Sequence, residues 1–376
     1  MRIGLQTKDY GPRRLFAFGA GSVFPSSLIP HLSSLLLVLC FVSCVSRLSS
    51  QDIHFTQFFS NPVILNPAQT GNYEGNYRIA FNFKAQWPFA AKNSIYTYHT
   101  ESPFVDFSFG ERKLKTSWFG LGLHFLNDQA GDGRLKYQRF GLSGAYHQAF
   151  DQDHRYVLSA GVGYSYIIRS VDFSRFYFNN QWEPDNGFNL TLPNNEPVQM
   201  ESFQMNDLNA GISFRAQVHN QIRFDVGFSM LHLTRPKHTF LGSNERLGFR
   251  YQANGGINVA INERVTVDIN AYYGYEKGAQ EALVGAMVGY GFYKLRSGVD
   301  NTIFIGLYCR AKEAAAIAPL MGYQFRTTRI LVNYDVTLSG LAKAAKANGG
   351  PEISIVHTGS FFKHYGNKKV YCPSFR

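Results

Sequence analysis

The sequence predicts an all-β protein, a transmembrane antiparallel β-barrel of about fourteen strands. Segments of about ten residues alternate apolar and polar side chains with the two-residue period of a strand. The chain contains 35 Gly, 33 Phe and 22 Tyr but only 17% charged residues, a balance that favours paired strands over packed helices. Its mean hydropathy is −0.19, as expected when lipid-facing apolar residues alternate with polar residues that face a lumen.

Residues 1–50 have the features of a secretory signal peptide with an N-terminal extension. Two arginines, Arg13 and Arg14, precede an apolar stretch centred on Leu35 to Val45, and several serines follow it. The apolar stretch is shorter than the roughly 20 residues that a transmembrane helix needs. We therefore expect this region to be removed, so that the mature chain begins at Gln51.

Cleavage before Gln51 would leave two cysteines in the mature chain, Cys309 and Cys372. Two isolated thiols make no metal site, although the compartment permits a disulfide. A lone strand cysteine and a lone tail cysteine are favoured over a bridge. As an alternative to cleavage before Gln51, the sequence from Phe41 to Cys44 loosely resembles a lipoprotein cleavage box, which would place a lipid on Cys44.

Residues 51–76 do not alternate cleanly, and Asn61-Pro62 and Asn66-Pro67 within them favour turns. This segment is expected to be either a plug inside the barrel or a periplasmic segment. The alternating pattern starts at Tyr77, with one apolar face and one polar face up to Trp87. The barrel is therefore predicted over residues 77–360, and residues 361–376 form a basic C-terminal tail.

The predicted strands are long, and many of them run to ten residues or more. Strands of a soluble β-sandwich, the competing fold, also alternate but usually have five or six residues. Ten residues is the length that a tilted strand needs to cross the hydrocarbon layer, and an even number of strands suits a closed barrel. After the first strand, the segments lie near 95–107, 118–126, 135–149, 155–168, 207–218, 222–230, 248–261, 265–275, 281–292, 302–310, 315–325, 329–338 and 351–360.

The connections between the predicted strands differ in length. Residues 151–154, 219–221 and 262–263 are tight turns, whereas 169–206 and 232–247 are long. Short turns of bacterial barrels face the periplasm and long loops face outwards. The 169–206 loop, which contains Trp182, is therefore expected to be the largest external feature.

Several function classes find no support in the sequence. The net charge is +11 overall, and 32 − 25 = +7 outside residues 1–50. This surplus is spread over turns and loops, which argues against nucleic acid as a partner.

Two glycine motifs, Gly120-Leu121-Gly122 and Gly161-Val162-Gly163, do not indicate a nucleotide-binding site, because they lie inside strands with no helix after them. These glycines are expected to ease strand packing or curvature. No catalytic, cofactor or metal site is expected.

Both ends of the predicted mature chain resemble the PorP/SprF family. The opening stretch is Gln51-Asp52-Ile53-His54-Phe55-Thr56-Gln57-Phe58-Phe59, followed by Asn61-Pro62 and Leu65-Asn66-Pro67-Ala68. The closing strands and tail match in Tyr334-Asp335-Val336, Gly349-Gly350-Pro351-Glu352-Ile353-Ser354 and Cys372-Pro373-Ser374-Phe375. Ordered motifs at both ends are more specific than any one of them alone.

The resemblance implies a non-enzymatic outer-membrane barrel of the type IX secretion and gliding machinery of Bacteroidetes. Its implied partners are type IX components, the C-terminal domain of a secreted adhesin and a peptidoglycan-associated periplasmic lipoprotein. A passive channel for small solutes is the alternative. The expected partner-binding residues, from the resemblance and the long loop, are Gln51, Asp52, His54, Phe55, Gln57, Phe58, Asn66, Pro67, Trp182, Cys372, Pro373 and Phe375.

Overall fold

The computed structural model describes residues 55–88, 98–110, 114–131, 133–195, 201–240, 244–295, 298–312, 315–338 and 348–361. Within these residues, fourteen antiparallel strands form one closed barrel. The predicted signal peptide and most of the predicted C-terminal tail lie outside the described residues. Among the described residues, no helix has the length and apolar character that crossing a membrane requires.

Neighbouring barrel strands are consecutive in the sequence, except at the closure of the barrel and across one long loop. That loop carries a two-stranded hairpin, β6 (Trp182–Glu183) and β7 (Gly187–Phe188). The barrel strands are β1 (Tyr77–Ala85), β2 (His99–Phe109), β3 (Ser117–Ala130), β4 (Leu135–Ala149), β5 (Tyr156–Ser170), β8 (Ser202–His219), β9 (Ile222–Leu231), β10 (Arg250–Ala260), β11 (Val265–Glu276), β12 (Ala279–Leu295), β13 (Gly298–Lys312), β14 (Ala316–Phe325), β15 (Thr328–Thr337) and β16 (Asn348–Gly359).

The first and last strands close the barrel. β16 pairs with β1 from Tyr77 opposite Gly359 to Lys84 opposite Glu352, so neither strand leaves an open edge. The predicted fourteen-strand barrel is confirmed. The sequence prediction started β8 at residue 207, but the strand begins at Ser202 because its ladder with β5 continues to Ser170. The long loop therefore spans residues 171–201.

Alternation along each strand separates a lipid-facing surface from the lumen. On β1, Ile79 and Phe81 point outwards with 51% and 40% of their surface exposed, while Asn82 and Lys84 are buried on the inner face. Large exposed apolar side chains recur on the outer faces of the other strands. A surface of this kind is stable only when it faces hydrocarbon rather than water.

A charge on the outer surface should therefore impair insertion. Ile305 lies in the middle of β13 with 68% of its surface exposed. We expect Ile305→Arg to destabilise the inserted barrel by about 2–4 kcal/mol, because the guanidinium would face the hydrocarbon core. The heat-modifiable gel shift of the folded barrel measures this loss. Ile305→Leu is the matched control, and equal folding of both variants in lipid would contradict the lipid-facing assignment.

The two ends of the barrel differ in their connections. At one end, called the short-turn end, tight connections such as residues 220–221 and 326–327 join the strands, and both the start of β1 and the end of β16 lie there. At the other end, called the long-loop end, the connections include 171–201 and 232–249. Short turns of outer-membrane barrels face the periplasm, which assigns the long-loop end to the cell exterior.

Before β1, the chain forms two 3-10 turns, Phe58–Ser60 and Pro67–Gln69, on either side of the short helix α1 (Pro62–Leu65). The asparagines predicted to favour turns lie at these boundaries. Asn66 caps the second 3-10 turn, where its side-chain oxygen accepts a hydrogen bond from the Ala68 N–H. The compact turns allow this segment to fit inside the barrel, as its contacts show.

Candidate functional site, a plugged lumen

Residues 55–76, here called the plug, occupy the lumen. Most of the side chains from Phe55 to Gly71 are buried, although the segment belongs to no barrel strand. Their partners are inward-facing side chains of strands on all sides of the barrel, including β2, β8 and β16. The described residues of this segment thus lie inside the lumen, which is the first of the two positions expected for it.

At the long-loop end, two carboxylates of the wall hold the start of the plug. The Glu352 carboxylate accepts hydrogen bonds from the backbone N–H groups of Thr56 (2.9 Å) and Gln57 (2.7 Å). The Asp335 carboxylate accepts from the Thr56 hydroxyl at 2.8 Å. All these groups are buried. We call this arrangement the carboxylate latch.

Cations of the wall neutralise the latch. Lys84 Nζ lies 3.2 Å from Asp335 and 3.9 Å from Glu352, and Arg310 Nη2 lies 3.4 Å from Asp335. Arg310 also donates a hydrogen bond to the Thr56 hydroxyl at 2.6 Å. Buried charges are tolerated only with such partners, so strands β1, β13, β15 and β16 form one network with the plug.

Aromatic side chains of the plug fill the middle of the lumen. Phe59 stacks on Tyr308 of β13 with ring centroids 5.3 Å apart, and Phe58 packs against Tyr272 of β11 at 5.5 Å. Tyr308 belongs to an apolar cluster inside the barrel. Burial of this apolar area favours the plugged state, because both surfaces would otherwise face water in the lumen.

The second half of the plug lies on a row of small residues of the wall. Gly120, Ala145, Gly161, Gly211 and Ser229 face inwards and are paired across strands β3, β4, β5, β8 and β9. We call this row the small-residue seat. It brings the plug backbone into direct contact with the wall of the barrel.

A side chain at the seat glycines would collide with the plug. A Cβ atom added at Gly161 would lie 2.5 Å from the backbone of Pro67, and one at Gly120 or Gly211 would overlap Thr70 or Asn66. At the end of the row, the Ser229 hydroxyl donates to the carbonyl of Leu65 at 2.8 Å. The glycines were expected to ease strand packing, but those at positions 120 and 161 make room for the plug.

At the short-turn end, the plug is fixed by an ion pair and an indole. Arg78 donates to both oxygens of Asp106 at 2.9 and 2.7 Å, and Asp106 also accepts from the Gly71 N–H at 2.8 Å. A bidentate guanidinium–carboxylate pair of this kind fixes geometry as well as charge. Trp118 Nε1–H donates to the carbonyl of Gly71 at 3.0 Å.

A cavity of about 850 Å³ lies at the short-turn end, below the plug. Its wall includes Arg215, Arg223 and Arg329, and Asp225 accepts from both Arg215 and Arg223 at 2.9 Å. Two of these guanidinium groups thus share one carboxylate. Within the described residues, no cluster of three or more His, Cys, Asp or Glu side chains could hold a metal ion.

The β6–β7 hairpin of the 171–201 loop presents aromatic side chains at the long-loop end. Trp182 is 54% exposed and lies edge-on to Phe188 at 4.8 Å. The Glu183 carboxylate closes the turn, because it accepts from the side-chain amides of Asn186 (3.0 Å) and Asn189 (2.9 Å). These hydrogen bonds, with that from Asn189 the stronger, lower the pKa of Glu183.

The hairpin should therefore resist acid until Glu183 is protonated. The pKa of Glu183 is lowered in the folded loop. Its contribution to the stability of the hairpin is therefore present above the ordinary glutamate pKa and is lost as the pH falls through its pKa in the folded loop. We expect the fluorescence of Trp182 to change in that acidic window. Glu183→Gln is the control that lacks this titration. An identical fluorescence titration in both proteins would contradict the assignment.

A family model described as "Type IX secretion system membrane protein PorP/SprF" matches residues 48–356. The chain belongs to the PorP/SprF family. The match includes every described residue of the plug and almost all of the barrel. A membrane-protein family and an outer-membrane barrel fold together make this chain an integral outer-membrane protein. The expected family is thus confirmed.

Solved outer-membrane barrels are similar in fold to this PorP/SprF protein. The CymD monoaromatic hydrocarbon channel has a TM-score of 0.49 and 10% identity, over 81% of this chain and 94% of the channel. The Ralstonia pickettii toluene transporter TbuX has a TM-score of 0.42 and 11% identity, over 78% of this chain and 91% of the transporter. The KdgM porin has a TM-score of 0.35 and 8% identity, over 75% of this chain and 98% of the porin. No curated protein matches the chain.

The structure places some of the expected partner-binding residues and not others. Phe55, Gln57, Phe58, Asn66 and Pro67 lie in the plug, where they are buried against the wall of the barrel itself. In this conformation they are inaccessible to another protein. Partner binding by these residues stays a prediction.

The remaining expected partner-binding residues divide into one exposed residue and six outside the described part of the chain. Trp182 is exposed on the external hairpin. Gln51, Asp52, His54, Cys372, Pro373 and Phe375 complete the set, and the structure does not describe them. Cys309 lies on β13 and is partly exposed, but a bridge to Cys372 falls outside the described residues.

The latch and the seat are the functional residues that the sequence reasoning missed. A signal for the latch was present, because Asp335, Glu352 and Ser354 belong to the closing motifs that resemble the PorP/SprF family. The opening motif contains Thr56 and Gln57, and the structure shows that the two sets of motifs bind each other. Nothing in the sequence alone indicates that contact between residues almost 300 positions apart.

Proposed function

We propose that this barrel supports the secretion or cell-surface anchoring of a large adhesin by the type IX machinery, and that it does so without catalysis. Membership of the PorP/SprF family gives it partners among the secretion components. In this proposal the external loops hold the C-terminal domain of the adhesin. Components on the periplasmic side, including a peptidoglycan-associated lipoprotein, engage the tail of residues 361–376. Gliding motility would depend on the same anchoring.

The observation that carries the proposal is the plug. A passive channel needs an open path through the lumen, whereas Phe58, Phe59 and the latch fill it in this chain. The exposed aromatic hairpin at the long-loop end adds support, because aromatic side chains on an ordered loop are typical anchors of protein interfaces. An export leader of residues 1–50, cleaved before Gln51, belongs to the same proposal.

Affinity purification tests the proposal directly. A tagged protein is extracted from outer membranes in mild detergent, and the proteins that accompany it are identified by mass spectrometry. We expect a large adhesin or a type IX component. Recovery of the barrel alone, under conditions that preserve other envelope complexes, would contradict the anchoring role and favour the passive channel.

The tail can be tested separately. Deletion of residues 361–376 should leave the barrel inserted, since β16 ends at Gly359, but should abolish retention of the adhesin on the cell. Surface immunoblotting measures the retention, and heat modifiability confirms the inserted barrel. Normal retention in the deletion variant would show that the tail is not required.

Conductance in planar bilayers distinguishes anchor from channel. A barrel whose lumen is closed by the plug should pass little current, and the cavity at the short-turn end should not connect to the other side. Steady conductance of the unmodified protein would support the passive channel instead.

A further inference from the structure

The plug runs along the barrel axis, and its contacts fix its direction. Its first described residue, Phe55, packs with Leu126, Tyr137, Ile167 and Met205. These residues lie near the ends of β3, β4, β5 and β8 that meet the long loops. Leu247, within the 232–249 loop, packs against the same cluster. Phe55 is therefore at the long-loop end.

Contacts on the opposite side of the barrel also place the next two residues, Thr56 and Gln57, at the long-loop end. Thr56 and Gln57 bind Asp335 near the end of β15 and Glu352 near the start of β16. Both positions lie next to the connection from β15 to β16, which is at the long-loop end. Contacts on two facing sides thus agree about where the plug begins.

The last residues of the plug lie at the other end. The side-chain amide of Asn72 donates to the Ser159 hydroxyl near the start of β5. The backbone carbonyl of Asn72 accepts from Arg215 near the end of β8. The Asn76 N–H donates to the carbonyl of Gly359, the last residue of β16, at 2.7 Å. The plug therefore crosses the whole lumen before β1 begins.

We infer that the chain enters the barrel from the outer, long-loop side, so that whatever precedes Phe55 connects to the protein on the face opposite to the end of β16. The two sequence regions expected to bind partners, around Gln51 to His54 and around Cys372 to Phe375, then serve different sides of the membrane. This path predicts that no single periplasmic partner binds both regions.

This path assigns the N-terminal region to the external partner. It rests on the proposed function for the identity of that partner, a secreted protein held at the long-loop end beside the Trp182 hairpin. The direction of the plug itself does not depend on that function. It follows only from the contacts of residues 55–76 and from the closed barrel around them.

Epitope accessibility tests the inference. Three full-length proteins each carry one short epitope: after Asp52, after Asn186 in the external hairpin, or after Arg376. Antibody binding is measured on intact cells and again after permeabilisation. We expect the epitopes after Asp52 and Asn186 to be accessible on intact cells, and the epitope after Arg376 only after permeabilisation.

Labelling of single cysteines repeats the test with a smaller probe than an epitope. In a Cys309→Ser, Cys372→Ser background, Asp52→Cys and Asn186→Cys should both react with a membrane-impermeant maleimide on intact cells. Reaction at residue 186 but not at 52 would overturn the inference. If residue 52 is accessible on intact cells but no adhesin accompanies the purified barrel, the path of the plug is supported and the adhesin role is rejected.

Discussion

We expect Gly161→Leu to dislodge the plug and open the lumen. A Cβ atom at position 161 would lie 2.5 Å from the backbone of Pro67, and the rest of a leucine side chain would need the space that the plug occupies. Overpacking of this kind costs about 1–3 kcal/mol where neighbours can shift. The wall on this side is a paired sheet that cannot shift easily, so the plug should leave. Conductance should rise from a low value to that of an open pore.

The adjacent residue supplies the matched control. Val162 points to the lipid with 66% of its surface exposed, so Val162→Leu places the same leucine side chain on the outer face of the same strand. It should leave conductance and heat stability unchanged. A Gly161→Leu protein that folds and still conducts no more than Val162→Leu would show that the small-residue seat does not hold the plug.

The second large effect is expected at the carboxylate latch. Glu352→Ala would leave the N–H groups of Thr56 and Gln57 without their acceptor. A buried donor without a partner costs about 1–3 kcal/mol. Lys84 would also lose one of its two carboxylates. We expect a lower unfolding temperature of the barrel and exposure of the plug to protease, measured on the purified protein.

Two variants separate the latch from a general loss of acidic charge. Glu352→Gln keeps one carbonyl oxygen as an acceptor and should lose less stability than Glu352→Ala. Glu201→Ala removes an exposed acidic side chain outside the barrel core and should change stability by no more than about 0.5 kcal/mol. If all three variants unfolded alike, the carboxylate of Glu352 would have no special part in holding the plug.

The barrel itself could be predicted because its signal is local. Each of the fourteen barrel strands shows the two-residue alternation within its own nine to eighteen residues, and the even strand count fits closure. The boundaries were less accurate. β8 begins five residues before its predicted start, because its pairing with β5 extends the strand beyond the clearly alternating part.

The sequence determined the barrel, its strand faces and the family, since periodicity and ordered motifs are properties of neighbouring residues. Only the tertiary structure decided between a plug and a periplasmic segment. The seat requires five strands in one register, so that Gly120, Gly161 and Gly211 fall in a single row. The latch requires Thr56 and Glu352, 296 positions apart, to meet. Such contacts depend on barrel closure, which no short stretch of sequence specifies.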